Sequence, residues 1–563
     1  MRLWTSWLFV ALLSLQASAQ QQPSLWFYAP VNFQVEAETQ RFIDLLHQGR
    51  KAGYQAAVIT DYKFGNLRDR PDRYYSNLER VVSEAERLGI ELIPLVMQIG
   101  YSNSILQNDP NLAAALPVID CEMVVRNGKA IPANTENLLP GGDFERAERN
   151  RPVDWDWIDG FQTLTQLDTA TKHSGNASLR MTDFATTTDS GGNCRVVKKV
   201  KLKPFHQYQF TAWIKTDQLR ADEFRFNPLP VGGDRRSLNY ANLGTRPNQD
   251  WTRHRIIFNS LDHAEVSIYL GLWQAHSGTV WIDDVELREV AGVNLLRRSG
   301  CPIRVRDESG QMVYQEGRDY QRWEDSKLGR VPYLGEYDDD HDPAPLVIAD
   351  GSRIREGSRL RVSFYHTAII HDGQVCASLA EDKVFEILET EVALIRKYIR
   401  PKRYFMSHDE IRVAGWDALA NGRSTGTLLA ENARRCTQII KQLDPAADVM
   451  VWSDMFDPFH NARDNYYLTK GSVSDSWKGL QSNVSIVNWN GGKAAESLKF
   501  FEERGHRQII AGFYDQKAQE NVDRWAKATR GVQGIDAWMY TTWRKDYSQM
   551  EAFATGVRAA SSR

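Results

Sequence analysis

The chain has 563 residues, of which 42% are hydrophobic and 11% aromatic, a composition typical of a globular protein rather than a disordered one. Its formal net charge is −3 and it has no basic tract, so we expect no nucleic-acid partner. A chain of this length has room for two or three domains.

The first residues have the pattern of a secretory signal peptide. Arg2 precedes an apolar run, Leu8–Leu15, that is too short to span a membrane. The small residues up to Ala19 fit a cleavage site, so we predict a signal peptide over 1–19 that is cleaved after Ala19. The mature protein would then be secreted or periplasmic; an uncleaved N-terminal anchor is the alternative. No later stretch is apolar and long enough to span a membrane.

Short apolar strands alternate with helical periodicity at the start of the mature chain. Such alternation indicates parallel β/α units, and we assign 20–136 to the first part of a barrel. The predicted elements are strands at Leu25–Phe33, Tyr54–Asp61 and Glu91–Met97 and helices at Glu38–Ala52 and Tyr75–Leu88.

The pattern changes in the middle of the chain. Residues 137–290 contain short strands of alternating polarity separated by turns, which predicts a β-sandwich. Residues 291–360 are polar and strand-like and are predicted to form a small β subdomain. The five cysteines are scattered without a C-x-x-C pair, which argues against a zinc site and a disulfide-dense scaffold. One disulfide is possible, but the sequence does not show which two cysteines would form it.

The β/α alternation resumes over 361–563, which we assign to the second, catalytic part of the barrel. Counting these strands with the first three gives eight and predicts an α/β fold: a (β/α)8 TIM barrel interrupted by an inserted jelly-roll sandwich and the small β subdomain. The apolar segment Arg361–Tyr365 belongs to the insert or prolongs the third strand, and an open doubly wound sheet is the alternative fold. The later strands are Arg403–Ser407, Asp448–Ser453, Val484–Trp489, Gln508–Tyr514 and Ile535–Trp543.

Acidic, amide and aromatic residues follow the ends of these strands, where the chemistry of a TIM barrel lies. The pair Asp409 and Glu410 ends the fourth strand, and glycoside hydrolysis needs a protonated carboxyl group for the leaving oxygen. Neighbouring carboxylates raise one another's pKa, which we expect to help keep Glu410 protonated. Aromatic faces and polar tips suit a sugar ring. The predicted substrate-binding residues are His408, Asp61, Tyr62, Trp452, Asp454, Asn488, Trp489, Tyr514, Asp515 and Trp543.

The stretch Tyr404–Arg412, YFMSHDEIR, resembles the Asp-Glu signature of the β-N-acetylhexosaminidases of glycoside hydrolase family 20. The resemblance implies substrate-assisted catalysis, in which Asp409 orients the 2-acetamido group of the sugar and Glu410 is the general acid and base. It also implies that Tyr514 binds the acetamido oxygen and that tryptophans surround its methyl group. No cofactor for catalysis is implied.

The chain departs from that family at three points. Ser407 and His408 stand where the family has two glycines, the first strand lacks the arginine that grips the outer hydroxyls, and Arg544 replaces an acid. If Arg544 and Lys545 entered the pocket, the sugar could carry an acid or sulfate group; a solvated loop is the alternative.

The stretches NLLPGGDFE and TVWIDDVELREV of the insert resemble the jelly roll of carbohydrate-binding modules. In that fold, an early acid and one near the last strand often hold a structural calcium ion, and Glu145 and Asp284 match by position. Oxygen ligands on loops suit Ca²⁺. Many such modules are purely structural, so the ligand of the insert stays open.

Three functions follow for this chain, all with a glycan as partner. The first is a retaining exo-glycosidase acting on terminal β-N-acetylhexosamine. The second is a retaining glycosidase on another sugar, with Asp515 or Asp454 as a protein nucleophile. The third is a sugar-binding protein without activity. The adjacent acids Asp409 and Glu410 argue against it, because a binding groove does not need two neighbouring carboxylates.

Overall fold

The computed structural model describes residues 23–184, 192–232 and 236–561. The predicted signal peptide and its cleavage site lie outside these ranges. Within the described residues, no helix combines the length and apolarity that a membrane crossing requires. All five cysteines are buried and free, so the disulfide left open by the sequence is not formed.

Three strands and two helices begin the described chain: β1 (Ser24–Pro30), α1 (Glu36–Ala52), β2 (Ala56–Thr60), α2 (Asp72–Leu88) and β3 (Glu91–Val96). The helices form because apolar side chains recur at helical spacing. In α2, Tyr74, Leu78, Val81 and Ala85 are buried on one face, which packs the helix against the strands.

Fifteen strands follow before the next α-helix. They are β4 (Leu116–Arg126), β5 (Lys129–Pro132), β6 (Ala147–Glu148), β7 (Arg151–Pro152), β8 (Trp157–Ile158), β9 (Thr165–Asp168), β10 (Ser178–Met181), β11 (Cys194–Lys201), β12 (Gln207–Pro230), β13 (Gln249–Asn259), β14 (Glu265–Val290), β15 (Arg304–Asp307), β16 (Val313–Tyr314), β17 (Leu346–Val347) and β18 (Arg359–His366).

Strands and helices alternate again to the end of the described chain. These elements are α3 (Asp382–Tyr398), β19 (Arg403–Met406), β20 (Val413–Ala414), α4 (Thr425–Leu443), β21 (Asp448–Trp452), β22 (Leu468–Thr469), β23 (Val484–Asn488), α5 (Ala494–Glu502), β24 (Gln508–Phe513), α6 (Ala518–Ala528), β25 (Ile535–Thr541) and α7 (Met550–Ser561).

Eight strands close into an all-parallel barrel in the order β1-β2-β3-β19-β21-β23-β24-β25. Strand β1 pairs with both β2 and β25, so the sheet has no free edge and is not the open doubly wound alternative. The prediction of a (β/α)8 TIM barrel is nevertheless wrong. The described residues contain seven α-helices, and the helices between β21 and β23 are short 3-10 helices alone, because that polar segment lacks an apolar helical period.

Side chains alternate between the inside and the outside of the barrel wall. Trp26 and Tyr28 of β1 belong to the interior cluster, with Val58, Phe405 and Met450 from other strands. Their neighbours along β1 instead join the larger core that includes the buried helix faces. Because adjacent residues of a strand point to opposite faces, the strands present one residue set to the interior and another to the helices.

Seven of the nine strands in the sandwich predicted over 137–290 form one antiparallel sheet rather than two separate sheets, and β6 and β7 pair with each other. Its strands β12 and β14 are long and contain register shifts. The rings of Phe210 and Phe226, both in β12, stack 4.0 Å apart, so this strand bends and its two halves face each other. This single folded sheet corrects the jelly-roll expectation.

A second antiparallel sheet, with the order β16-β15-β18-β4-β5-β17, packs its own apolar core. Its strands come from both sides of the sandwich segment. The segment Arg361–Tyr365 lies within β18 and pairs with β4 and β15. It therefore belongs to the inserted part and does not prolong the third barrel strand.

A buried acid joins helix α3 to the end of β3. Glu391 is fully buried, and its Oε2 accepts a hydrogen bond from the backbone nitrogen of Met97 at 3.1 Å. Met97 has a left-handed φ of 56°, so this bond helps to hold an uncommon backbone conformation. Burial raises the pKa of Glu391 to about 8.

We expect Glu391→Gln to flatten the pH dependence of stability. Between the ordinary glutamate pKa of about 4.3 and the folded-state pKa of about 8, the folded protein holds a proton that the unfolded chain has lost. The free energy of unfolding therefore falls as pH rises through this range, by up to about 1.4 kcal/mol per pH unit. Chemical denaturation at pH 5, 6, 7 and 8 checks this, and parallel curves for variant and wild type would contradict it.

Candidate active site

A cavity of about 760 Å³ opens at the carboxyl ends of the barrel strands. Every barrel strand, or the segment that directly follows it, contributes to its wall. These residues are Tyr28, Thr60, Gln98, Asp409, Glu410, Trp452, Trp489, Tyr514 and Trp543. Parallel strands bring their ends to one rim, which is why residues far apart in sequence meet here.

Glu410 is held in a defined position on this wall. Its Oε1 forms an ion pair with Nη2 of Arg412 at 2.7 Å, and its Oε2 accepts a hydrogen bond from the hydroxyl of Tyr101. Its backbone is left-handed, with φ 47°. Gly100 makes this turn possible, since a Cβ there would lie 2.0 Å from the carbonyl oxygen of Asp409.

Asp454 supports the backbone of Glu410 from behind. Its Oδ2 accepts hydrogen bonds from the Glu410 nitrogen and from Nδ2 of Asn461, each at 2.9 Å. Its Oδ1 accepts one from Nε1 of Trp489 at 3.3 Å. Asp454 is fully buried. Through these hydrogen bonds it links Glu410, which follows the fourth barrel strand, to Trp489, which follows the sixth barrel strand.

Asp409 is the second acid on the wall. Its Oδ1 accepts a hydrogen bond from Oγ of Ser407 at 2.6 Å. Burial, and next the charge of Asp454, raises the pKa of Asp409 above its usual range. Burial likewise raises the pKa of Asp454. Asp454 is fully buried, whereas the side chain of Glu410 is 25% exposed.

Five aromatic rings form a continuous arc around the cavity. Tyr28 lies 6.2 Å from Trp452 and 5.2 Å from Trp543 between ring centroids. Tyr514 lies 5.8 Å from Trp543 and 6.0 Å from Trp489, whose ring is parallel to its own. Such an arc offers flat apolar faces to the C–H groups of a sugar or to a methyl group.

The structure brings seven of the twelve residues predicted at the barrel mouth onto the cavity wall, and Asp454 lies directly behind it. The seven are Asp409, Glu410, Tyr62, Trp452, Trp489, Tyr514 and Trp543. Three consecutive residues at the end of β24, including Tyr514, have positive φ values. Such backbone strain is common at functional sites.

The other four predicted residues have structural partners away from the cavity. His408 is fully buried, with Nε2 3.0 Å from Oδ1 of Asn432. Asp61 accepts from the backbone nitrogens of Phe33 and Lys63, and Asn488 donates to Gln508.

Asp515 also has a structural position. Its carboxylate accepts from Oγ1 of Thr542 and from the backbone nitrogens of Trp543 and Arg544. It therefore fixes the loop that presents Trp543 to the cavity. Arg544 is not part of the cavity wall, whereas Lys545 is and also forms an ion pair with Glu38 at 3.3 Å.

Tyr28, Gln98, Tyr101 and Arg412 were missed by the sequence analysis. The alternation of β1 could have revealed Tyr28, since it lies two residues after the interior-facing Trp26. No pattern signals Tyr101 or Arg412, because they reach Glu410 from loops whose path only the folded chain defines.

The two residues proposed for calcium hold one loop through direct hydrogen bonds. Glu145 accepts from Asn176 and Ala177, and Asp284 is bonded to His173 and Ser174. The calcium site stays a prediction.

Among the described residues, one other group could hold a metal ion. Cys121, His206 and Glu289 place ligand atoms within 4.8 Å of one another. The His206 Nδ1 and Glu289 Oε1 are already 2.7 Å apart, and the Cys121 thiol donates to the same oxygen. The spacing of cysteines alone could not reveal this cluster.

We expect the acid limb of the pH–activity profile to lie at a higher pH than the pKa of an exposed aspartate, which is about 4. If Asp409 acts as a carboxylate, activity falls as pH drops through its raised pKa. Asp454→Asn removes a neighbouring negative charge and should move the limb to lower pH. Profiles of kcat/KM for both proteins check this; an acid limb near pH 4, or one that Asp454→Asn leaves unmoved, would contradict it.

No protein-family model matches the chain, and neither does any curated protein. Among solved structures, a rhamnosidase from Novosphingobium sp. PP1Y is 11% identical, with a TM-score of 0.32, and the match covers 96% of this chain and 59% of that one. A chitobiase of Flavobacterium johnsoniae is 14% identical, with a TM-score of 0.25, covering 33% of this chain and 32% of that one.

A carbohydrate-binding module is 17% identical, with a TM-score of 0.19, covering 27% of this chain and 99% of that one. The solved structures with these likenesses are thus glycoside hydrolases and carbohydrate-binding proteins. At such TM-scores, the function of this chain has to be argued from its own site.

Proposed function

We propose that this chain is a retaining glycoside hydrolase that removes terminal β-linked N-acetylhexosamine by substrate-assisted catalysis. One observation carries the proposal: Asp409 and Glu410 stand side by side on the wall of one cavity that is lined by an arc of aromatic rings. The arc fits the apolar face of a sugar and the methyl group of an acetamide.

In the proposed first step, substrate binding opens the ion pair between Glu410 and Arg412, and Glu410 takes up a proton. The acetamide oxygen then attacks the anomeric carbon while Glu410 gives this proton to the leaving oxygen, and the glycosidic bond breaks. Asp409 accepts a hydrogen bond from the acetamide N–H and stabilises the charge that develops on the cyclic intermediate. Tyr514 donates to the acetamide oxygen and orients it. Glu410 then takes a proton from water, which attacks the same carbon and reopens the ring.

The alternative mechanism, in which Asp515 or Asp454 is the nucleophile, has less support. Asp515 and Asp454 are not part of the cavity wall, and each carboxylate already accepts three hydrogen bonds. A nucleophile has to approach the anomeric carbon closely, and these partners hold both groups away from it.

The hypothesis that the chain binds sugars without cleaving them has less support as well. A binding groove gains nothing from placing Asp409 beside the buried Asp454, since bringing neighbouring acids together is costly. Export belongs to the same proposal: the mature protein would begin after Ala19, and N-terminal sequencing of the protein recovered outside the cytoplasm checks this.

A panel of aryl glycosides tests the proposal. The purified mature protein is assayed on β-N-acetylglucosaminide, β-N-acetylgalactosaminide, β-glucoside, β-galactoside and α-fucoside. We expect release from the acetamido sugars alone. Release from a sugar with a free 2-hydroxyl group would contradict substrate assistance, because the nucleophile would then have to be a protein group.

A further inference from the structure

A second cavity, of about 510 Å³, lies where the sandwich meets the mouth of the barrel. It is formed by residues of strand β12 and by the segment before β13, with His276 from β14. Asp372 lines both this cavity and the one that holds Asp409 and Glu410. The two cavities are therefore neighbours that share a wall.

The loop that carries Asp372 is tied to the proposed acid. Asp372 has a left-handed φ of 53° in a short turn, His371–Gly373. The next residue, Gln374, is buried, and its Nε2 donates to the backbone oxygens of Glu410 at 2.9 Å and of Gly100 at 2.8 Å. Gln374 also accepts a hydrogen bond from Arg412. The shared wall is thus fixed relative to Glu410.

The sandwich is held against the rim of the barrel at the same place. Nη1 of Arg236 donates to the backbone oxygens of Tyr467 at 3.1 Å and Thr469 at 3.0 Å. The rings of Tyr240 and Tyr467 lie 4.4 Å apart, and His371 packs against both. The second cavity therefore has a defined position beside the first.

The second cavity is rich in charged side chains, and two of its three acids have partners. Asp222 lies 3.0 Å from Nε2 of His276, and Glu223 forms an ion pair with Arg225 at 2.6 Å. By contrast, the exposed guanidinium groups of Arg220 and Arg246 have no ion pair among the residues that the structure describes. Unpaired arginines suit the planar oxygens of a carboxylate or sulfate group.

We propose that the second cavity binds the leaving-group side of a glycan whose terminal sugar occupies the barrel cavity, and that Arg220 and Arg246 bind an anionic group on it. This inference rests on the proposed function. It makes the natural substrate an oligosaccharide in which N-acetylhexosamine is linked to a sugar bearing a carboxylate or a sulfate.

The test compares two substrates in the full-length mature protein. One is an aryl N-acetyl-β-hexosaminide, and the other is a tetrasaccharide of alternating β-N-acetylhexosamine and uronic acid, in sulfated and unsulfated forms. We expect Arg220→Ala/Arg246→Ala to lower kcat/KM for the tetrasaccharide by about tenfold or more, the size of a lost charge-assisted hydrogen bond. The aryl substrate should be turned over as by the wild type. Arg73→Ala, an exposed arginine on α2, is the matched control.

Two results would overturn the inference: an equal loss on both substrates, or no loss on either form of the tetrasaccharide. A loss on both forms identifies the anion as the carboxylate, and a loss confined to the sulfated form identifies it as the sulfate. Calorimetric binding of the tetrasaccharide is the second measurement, made in the Glu410→Gln background so that turnover adds no heat, with and without the two arginine substitutions. If the wild type cleaves no glycoside but binds the tetrasaccharide through these arginines, the proposed catalysis fails while the binding site stands; absence of arginine-dependent binding and turnover sinks the site.

Discussion

Replacing Glu410 with glutamine is expected to lower the rate on an alkyl N-acetyl-β-hexosaminide by about 10²- to 10⁴-fold, the usual contribution of a positioned general acid. The loss should be much smaller for an aryl glycoside whose leaving group needs no proton. This dependence follows because glutamine keeps the shape of Glu410 but cannot give a proton to the leaving oxygen. Values of kcat/KM on a series of leaving groups of graded pKa measure it, since kcat/KM reports the first step and not the later attack of water.

Glu389→Gln is the matched control for this prediction, since Glu389 is exposed on α3 and should show wild-type rates. Affinity of Glu410→Gln for the product sugar is expected to persist, because the aromatic arc is intact. A variant that loses the same factor with every leaving group would contradict the role of Glu410 as general acid.

Asp409→Asn is expected to lower turnover of every N-acetyl-β-hexosaminide by about 10²- to 10³-fold, the typical loss when one electrostatic contact to a transition state is removed. Unlike the Glu410 variant, this one should lose the same factor for good and poor leaving groups, since Asp409 acts on the acetamide. The side chain stays in place because Ser407 can still donate to an asparagine oxygen.

Inhibition by a thiazoline analogue of the cyclised intermediate separates this role from a merely structural one. We expect the wild type to bind the thiazoline tightly and Asp409→Asn to bind it far more weakly, because the charge opposite the ring nitrogen is gone. Asp464→Asn, at an exposed acid, is the control. Equal thiazoline affinity in wild type and Asp409→Asn would contradict the assignment.

The sequence predicted the barrel strands better than the architecture around them. Apolar runs such as Glu91–Met97 and Gln508–Tyr514 coincide with barrel strands β3 and β24, because burial on both faces leaves a continuous apolar signature. The fold class failed at the segment after β21, where a count of strands implied a helix that the polar sequence does not form. The short strands predicted over 137–290 also miss the length of β12 (Gln207–Pro230), which continues through its register shifts.

The candidate site was predictable where residues follow a strand directly. Asp409, Glu410, Trp452 and Trp543 reach the cavity because strand ends converge, whereas His408 points into the core, since neighbouring residues face opposite ways. The partners of Glu410 come from loops, whose path the local sequence pattern does not predict. The position of Asp372 between the two cavities depends on how the sandwich meets the barrel, which the local pattern does not predict either.

The most direct test of substrate assistance is the rate on aryl hexosaminides whose N-acyl group carries none, one, two or three fluorine atoms. Fluorine withdraws electrons from the acetamide oxygen and leaves the glycosidic bond unchanged. If that oxygen attacks the anomeric carbon, kcat/KM falls steeply with each fluorine. A rate that does not depend on fluorination, with azide rescue of an alanine variant at Asp515 or Asp454, would place the nucleophile on the protein and contradict the account.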